Sequence, residues 1–243
     1  MSLPTISNSI FSFLADIGVD RVFLVPGGGN MFLVDAVGSE PRIEFVPTHH
    51  EQAAIIAAEY YSRKTGKLGV AVVTTGPGSS NAITGIAGAF FDSVPILVLA
   101  GQVKTADYNI DGRLRQKGPQ EIDLVSMSKM LTKMTKTCFD PEAIPQDLEA
   151  AVKAAFSGRP GPVVLEVPLD VQSKITDGNG VKSFKLPPFS ADIIVSNHSP
   201  EMRAICKSIS DRIMAATKPL FIIGHGVESS GQTEIVRKLI REN

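Results

Sequence analysis

The sequence is short of the residues that mark several specialised classes. Its two cysteines, Cys138 and Cys206, lie far apart without CxxC spacing, which argues against a disulfide framework and for reduced thiols of a cytoplasmic protein. It has no excess of either charge: 24 basic and 25 acidic residues leave a net −1, so neither nucleic acid nor an anionic membrane is expected as a partner. No stretch reaches the roughly 18 uninterrupted apolar residues of a membrane span. The start, MSLPTISNSIFSFL, has neither the basic head nor the apolar run of a signal peptide. No GxxxxGK[ST] occurs, which excludes a phosphate P-loop. What remains, 243 residues with 43% hydrophobic and 20% charged, is ordinary globular composition for one large domain or one and a half smaller ones.

The apolar pattern alternates between helical and strand character. Residues 6–17 carry Ile6, Ile10, Phe11, Leu14 and Ile17 at helical spacing, with Gly18 as a stop. Residues 21–25 form a short β-rich run that ends in Pro26-Gly27-Gly28-Gly29-Asn30. A short helix over 31–37, a strand over 43–47 and an alanine-rich helix over 48–65 follow. Residues 68–74 and 95–100 are nearly all apolar, as in strands buried on both faces. A helix of small residues is expected over 81–91, further helices over 123–129 and 144–156, and a closing strand over 163–167. This order predicts an α/β domain with a mostly parallel sheet flanked by helices. Ligands bind such sheets at the carboxyl ends of the strands, which singles out the loops at 26–30, 76–81 and 101–121.

Beyond residue 172 the pattern changes. Residues 173–199 contain Gly178, Gly180, Pro187 and Pro188 without a sustained period and read as a linker. A helix over 200–215, a strand over 220–223, the turn Gly224-His225-Gly226 and a helix starting near Ser230 then open an incomplete second α/β domain. One strand with no sheet neighbours cannot bury its own faces.

Thr48-His49-His50-Glu51 precedes the alanine-rich helix as T-x-x-E, a capping box on pattern alone. The adjacent histidines point apart on a helix start and no further His or Cys cluster follows, so no metal site is expected. Gly76-Pro77-Gly78-Ser79-Ser80-Asn81 has Asn81 where a dinucleotide fingerprint has its third glycine. A tight crossover accounts for its glycines equally well.

Taken together, a longer set of motifs is similar to the pyrimidine-binding domain of the acetolactate synthase-like family of thiamine diphosphate-dependent enzymes. They are Val25-Pro26-Gly27-Gly28, His50-Glu51-Gln52-Ala53-Ala54, AEYYSRKTG over 58–66, and Val73 through Asn81. Asp92-Ser93-Val94-Pro95, Ala100-Gly101-Gln102-Val103 and Gly158 through Pro168 follow in family order, so that the resemblance covers about residues 5–172. It implies that Glu51 hydrogen-bonds N1′ of the cofactor's aminopyrimidine and favours the imino tautomer that acts as base. It places Thr75, Pro77 and Asn81 beside the pyrimidine ring, and Pro26, Gly27 and Gly28 at the active-site entrance. Gly29, Gln102, Pro119 and Gln120 are implied around the substrate. Pro119 stands where the synthases have an aromatic residue before Gln120-Glu121, and the preceding run Asp111 to Lys117 is also unlike theirs. A solvated loop explains those charges, and so does a larger or anionic acceptor.

By the same resemblance, residues 1–172 are the pyrimidine-binding domain and 200–243 begin a truncated, Rossmann-like central domain, which binds FAD in some members. The expected activity is decarboxylation of a 2-keto acid such as pyruvate and transfer of the remainder to a carbonyl acceptor, in a cytoplasmic homo-oligomer. The family's Gly-Asp-Gly signature for Mg²⁺ and the diphosphate is absent. A diphosphate-binding module or second subunit is therefore expected to complete the site, and the isolated chain to be inactive. Two other readings stay open: a nucleotide-binding α/β protein, and a non-catalytic remnant of a pyrimidine domain.

Overall fold

The computed structural model describes residues 4–176 and 199–242, in two units, Met1–Leu186 and Pro187–Asn243. Most of the expected linker, residues 177–198, lies outside the described residues. The first unit opens with α1 (Ile6–Asp16), capped by Thr5: its hydroxyl accepts from Asn8 N–H while Asn8 Oδ1 accepts from Thr5 N–H. Its apolar positions Ile10, Phe11 and Leu14 are fully buried. Then come β1 (Arg21–Leu24), α2 (Met31–Ser39), β2 (Glu44–Pro47), α3 (Glu51–Thr65), β3 (Gly69–Val73), α4 (Pro77–Asn81) and α5 (Ile83–Phe91). The unit continues through β4 (Ile96–Gln102), α6 (Leu124–Ser128), β5 (Met134–Thr137), α7 (Ile144–Phe156), β6 (Val163–Pro168) and α8 (Leu169–Gln172).

Six parallel strands form one sheet in the order β2-β1-β3-β4-β6-β5. Every residue of β3, β4 and β6 is buried, which is why these three read as unbroken apolar runs. Helices α3 and α5 pack on each other, and α1 packs against α2 and α7. The core beneath α3 and α5 includes Ile55, Ala58, Ala71, Val73, Ile86, Ile96 and Val98. Because β1 has β2 on one side and β3 on the other, the chain leaves β1 and β3 in opposite senses. The crevice at their carboxyl ends is the topological switch point where such sheets bind ligands.

In the first unit four details differ from the sequence expectation. The helix expected from residue 48 starts at Glu51, and its N-cap is His50, whose Nδ1 accepts from Gln52 N–H at 3.1 Å. The Thr48–Glu51 capping box therefore does not form: the Thr48 hydroxyl instead donates to the carbonyls of Leu24 and His50. The segment after β3 is helical from Pro77, since proline suits a first helical position, and α4 and α5 meet at Ala82. Strand β5 has no counterpart in the expected pattern. It is a short edge strand, Met-Thr-Lys-Thr, paired on one side only and without a fully buried residue, so it carries little apolar signal.

The second unit contains α9 (Pro200–Ala215), α10 (Gly226–Ser229) and α11 (Thr233–Glu242). Residues 220–223 form no strand. Leu220 and Ile222 are exposed, as follows for an apolar segment with no described strand to pair with.

Candidate active site

The loops at the carboxyl ends of β1, β3 and β4 are tied to one another by specific bonds. After β1, Asn30 shapes the glycine turn: its Oδ1 accepts from Gly27 N–H at 2.8 Å and its Nδ2 donates to the Val25 carbonyl at 3.0 Å. Gly29 N–H donates to Thr74 Oγ1 at 3.0 Å, and the Gly29 carbonyl accepts from Gln172 Nε2 at 2.7 Å. A Cβ at Gly101 would fall on that same Gly29 carbonyl, so glycine at the end of β4 lets the two backbones touch. Pro26 and Gly28 remain exposed on the outer side of the turn.

Glu51 is the first residue of α3 and is 8% exposed. Its position brings a carboxylate to a helix N-terminus, where the backbone N–H groups and the helix dipole favour negative charge. Glu51 Oε2 accepts from Asn81 Nδ2 at 3.1 Å, at the last residue of α4. Among the described residues no protein donor reaches Oε1. A Cβ on Gly78 would stand 3.0 Å from Oε1 and 2.6 Å from Thr74 Cγ2, so glycine at 78 keeps the space beside that oxygen open. Pro77 is exposed at the start of the same helix. The flanking His49 and His50 are exposed, and His50 spends Nδ1 on the helix cap. Among the described residues no group of three or more His, Cys, Asp or Glu could hold a metal.

A second cluster lies on the β4–β6 side. Thr75 Oγ1 donates to Gln102 Oε1 at 2.9 Å and to the Gln120 carbonyl at 3.2 Å. Gln102 is fully buried at the end of β4; Nε2 donates to the Ile122 carbonyl at 2.8 Å and to Glu166 Oε1 at 3.0 Å, and Oε1 also accepts from Val103 N–H. Its amide is thus engaged on all sides within the fold. Pro119 and Gln120 are exposed, and Gln120 has φ +59. Glu121 holds the base of the preceding charged loop by accepting from the N–H groups of Asn109, Lys117 and Gly118. The structure thus groups Glu51 with Asn81 and Gly78, and Gly29 with Thr74. It groups Thr75 with Gln102 and Gln120.

Glu166 is the residue the sequence reading passed over. It is fully buried on β6, and burial pushes its carboxyl up to about 7 despite hydrogen bonds from Thr137, the Leu124 backbone and Gln102. The signal was one acidic residue inside the otherwise apolar run Val163 to Pro168.

Residues 4–127 match the model of "Thiamine pyrophosphate enzyme, N-terminal TPP binding domain". The chain belongs to the thiamine pyrophosphate enzyme family. It is 37% identical over 218 residues to the acetolactate synthase isozyme 3 large subunit of Escherichia coli, covering 90% of this chain and 36% of that protein. Against the chloroplastic acetolactate synthase of Arabidopsis thaliana it is 34% identical, covering 88% of this chain and 30% of the relative. Against the acetolactate synthase large subunit of Lactococcus lactis the identity is 33%, over 97% and 39%. The chain spans about a third of the length of these curated relatives. Within this family it contributes the N-terminal cofactor-binding domain, and the carboxylate opening α3 lies inside the matched segment. No helix among the described residues is long and apolar enough to cross a membrane.

Proposed function

We propose that this chain is the pyrimidine-binding part of a thiamine diphosphate-dependent 2-keto-acid decarboxylase and carboligase of the acetolactate synthase type. The observation that carries the reading is the mostly buried Glu51, with Oε2 held by Asn81 and Oε1 left facing the space that Gly78 keeps clear. Those features fit an aminopyrimidine ring nitrogen, which needs one carboxyl oxygen able to hold or release a proton. Asn81 keeps the carboxyl from rotating, and the helix N-terminus supplies a positive field around it. Thr75, Pro77 and Gly78 would line one side of the ring, and the turn of Pro26, Gly27, Gly28 and Gly29 the other. When bound, thiamine diphosphate supplies a thiazolium carbon nucleophile for the 2-keto carbonyl. Gln120 and Pro119 then border the substrate, with Gln102 behind them.

Pyruvate, or a similar 2-keto acid, and a carbonyl acceptor are the proposed substrates. Mg²⁺ and the diphosphate would be held by a separate module, from a second copy in a cytoplasmic homo-oligomer, and FAD enters only through the central domain that residues 200–243 would begin. Supplying the diphosphate-binding portion of a relative and comparing native chain with Glu51→Gln tests the reading. CO₂ release from pyruvate should fall about 10²- to 10⁴-fold in the variant. Equal turnover in both would remove Glu51 from the chemistry. No turnover in either, with native thiamine diphosphate binding absent by calorimetry, would favour a non-catalytic remnant, and NAD or ATP binding at residues 76–81 a nucleotide-binding protein.

A further inference from the structure

The backbone at Gln120 needs an explanation. With φ +59 it occupies the left-handed region that a non-glycine residue enters at a cost, so the surroundings must hold it there. The tie is a chain of three buried side chains. Thr75 Oγ1 shares its one proton between Gln102 Oε1 and the Gln120 carbonyl, and Gln102 Nε2 donates to Glu166 Oε1. Backbone groups set the Gln102 amide: Val103 N–H must face its oxygen and the Ile122 carbonyl its nitrogen. The atom facing Nε2 must therefore be an acceptor, and Glu166 Oε1 is that atom. Opposite, Glu166 Oε2 accepts from Thr137 Oγ1 at 2.8 Å on the edge strand β5. Gly76, where a Cβ would stand 2.6 Å from the Gln120 carbonyl, links this loop to the helix whose Gly78 borders Glu51.

We propose that Glu166 is a positioning residue: through Gln102 and Thr75 it fixes the 103–122 loop, and with it the wall that Gln120 forms against Gly76, two residues before the Gly78 that borders Glu51. It rests on the reading of Glu51 as cofactor partner only for what that wall serves; the hydrogen-bond relay stands without it. The titratable groups that face Glu166 are Asp123 ahead of α6, Tyr108 in the loop and Cys138 after β5, while Lys136 of β5 is engaged by Asp147 of α7. The enclosed carboxyl keeps its proton to about pH 7 because of burial. An opened loop that hydrates it would release that proton, so opening becomes easier as pH rises from the ordinary carboxyl value toward about 7 and levels off above it.

Hydrogen exchange of the full chain, corrected for intrinsic rates, reads this directly. In the native chain protection of residues 103–122 should fall on the order of tenfold between pH 6 and pH 8, while β3 and β4 amides serve as the reference for global opening. Glu166→Gln keeps an acceptor for Gln102 and turns the other bond round, its amide N–H donating to the Thr137 hydroxyl, so it should retain the protection and lose the pH dependence. Glu166→Leu removes the acceptor and should lower protection about tenfold at both pH values. The proposal is overturned if Glu166→Gln keeps the native pH dependence, or if Glu166→Leu leaves the loop protected. Should Glu166→Leu fail to fold, Glu166→Gln alone decides. Glu51→Gln should leave loop protection unchanged, so a failed activity test at Glu51 counts against the proposed function and not against the relay.

Discussion

Replacing Glu166 by glutamine should change how the stability of the first unit depends on pH, by an amount that follows from its burial. The folded carboxyl sits at about 7 against an ordinary value of 4.5, and the side chain is fully enclosed. A folded value above the unfolded one means the native state binds more protons between those two pH values. The contribution of Glu166 to stability is therefore highest below about 4.5, falls as pH rises toward 7, and levels off above it. The full difference corresponds to about 3 kcal/mol, most of it falling between pH 5 and pH 8. Glutamine has no proton to lose. The difference in unfolding free energy between native and Glu166→Gln chains, from urea melts at several pH values, isolates this one group from all other titrations. It should move by about 2–3 kcal/mol in favour of the variant from pH 5 to pH 8. A flat difference would show that Glu166 is hydrated in solution, and the argument from its enclosure would fail.

Other outcomes follow from the same packing. Gly78→Ala places a methyl 2.6 Å from Thr74 Cγ2 and 3.0 Å from Glu51 Oε1. The strain, about 1–3 kcal/mol, should exceed the gain in helix propensity of about 1 kcal/mol, and thiamine diphosphate affinity in the completed site should drop, as calorimetry would show. Ile55→Ala, in the fully buried contact between α3 and α5, should cost about 2–5 kcal/mol in urea unfolding. Asn81→Ala frees Glu51 Oε2; activity in the completed enzyme should fall while global stability changes by less than about 1.5 kcal/mol. Unchanged activity would show that Glu51 needs no such anchor.

Much of the fold was legible because three of its strands are enclosed on both sides: Gly69 to Val73, Ile96 to Gln102 and Val163 to Pro168 have no solvent face to dilute the apolar run. The helices expected over 144–156 and 200–215 also form over those residues. The edge strand Met134–Thr137 was not, because a strand paired on one side needs few apolar residues. Glu51 was legible only as a pattern with two meanings. The structure removed one of them, since His50 caps the helix and Thr48 turns to Leu24.

Local sequence thus determined which segments could be strand or helix and which loops would gather at one end of a parallel sheet. Backbone preference and apolar period act over a few residues, and those few residues are present in the chain as written. The Glu51–Asn81 bond and the path from Glu166 through Gln102 and Thr75 to Gln120 join residues up to 64 positions apart at a single step. No local preference encodes such distances. They exist only because parallel pairing sets β3, β4 and β6 side by side, and burial then requires each polar group at their ends to find a partner.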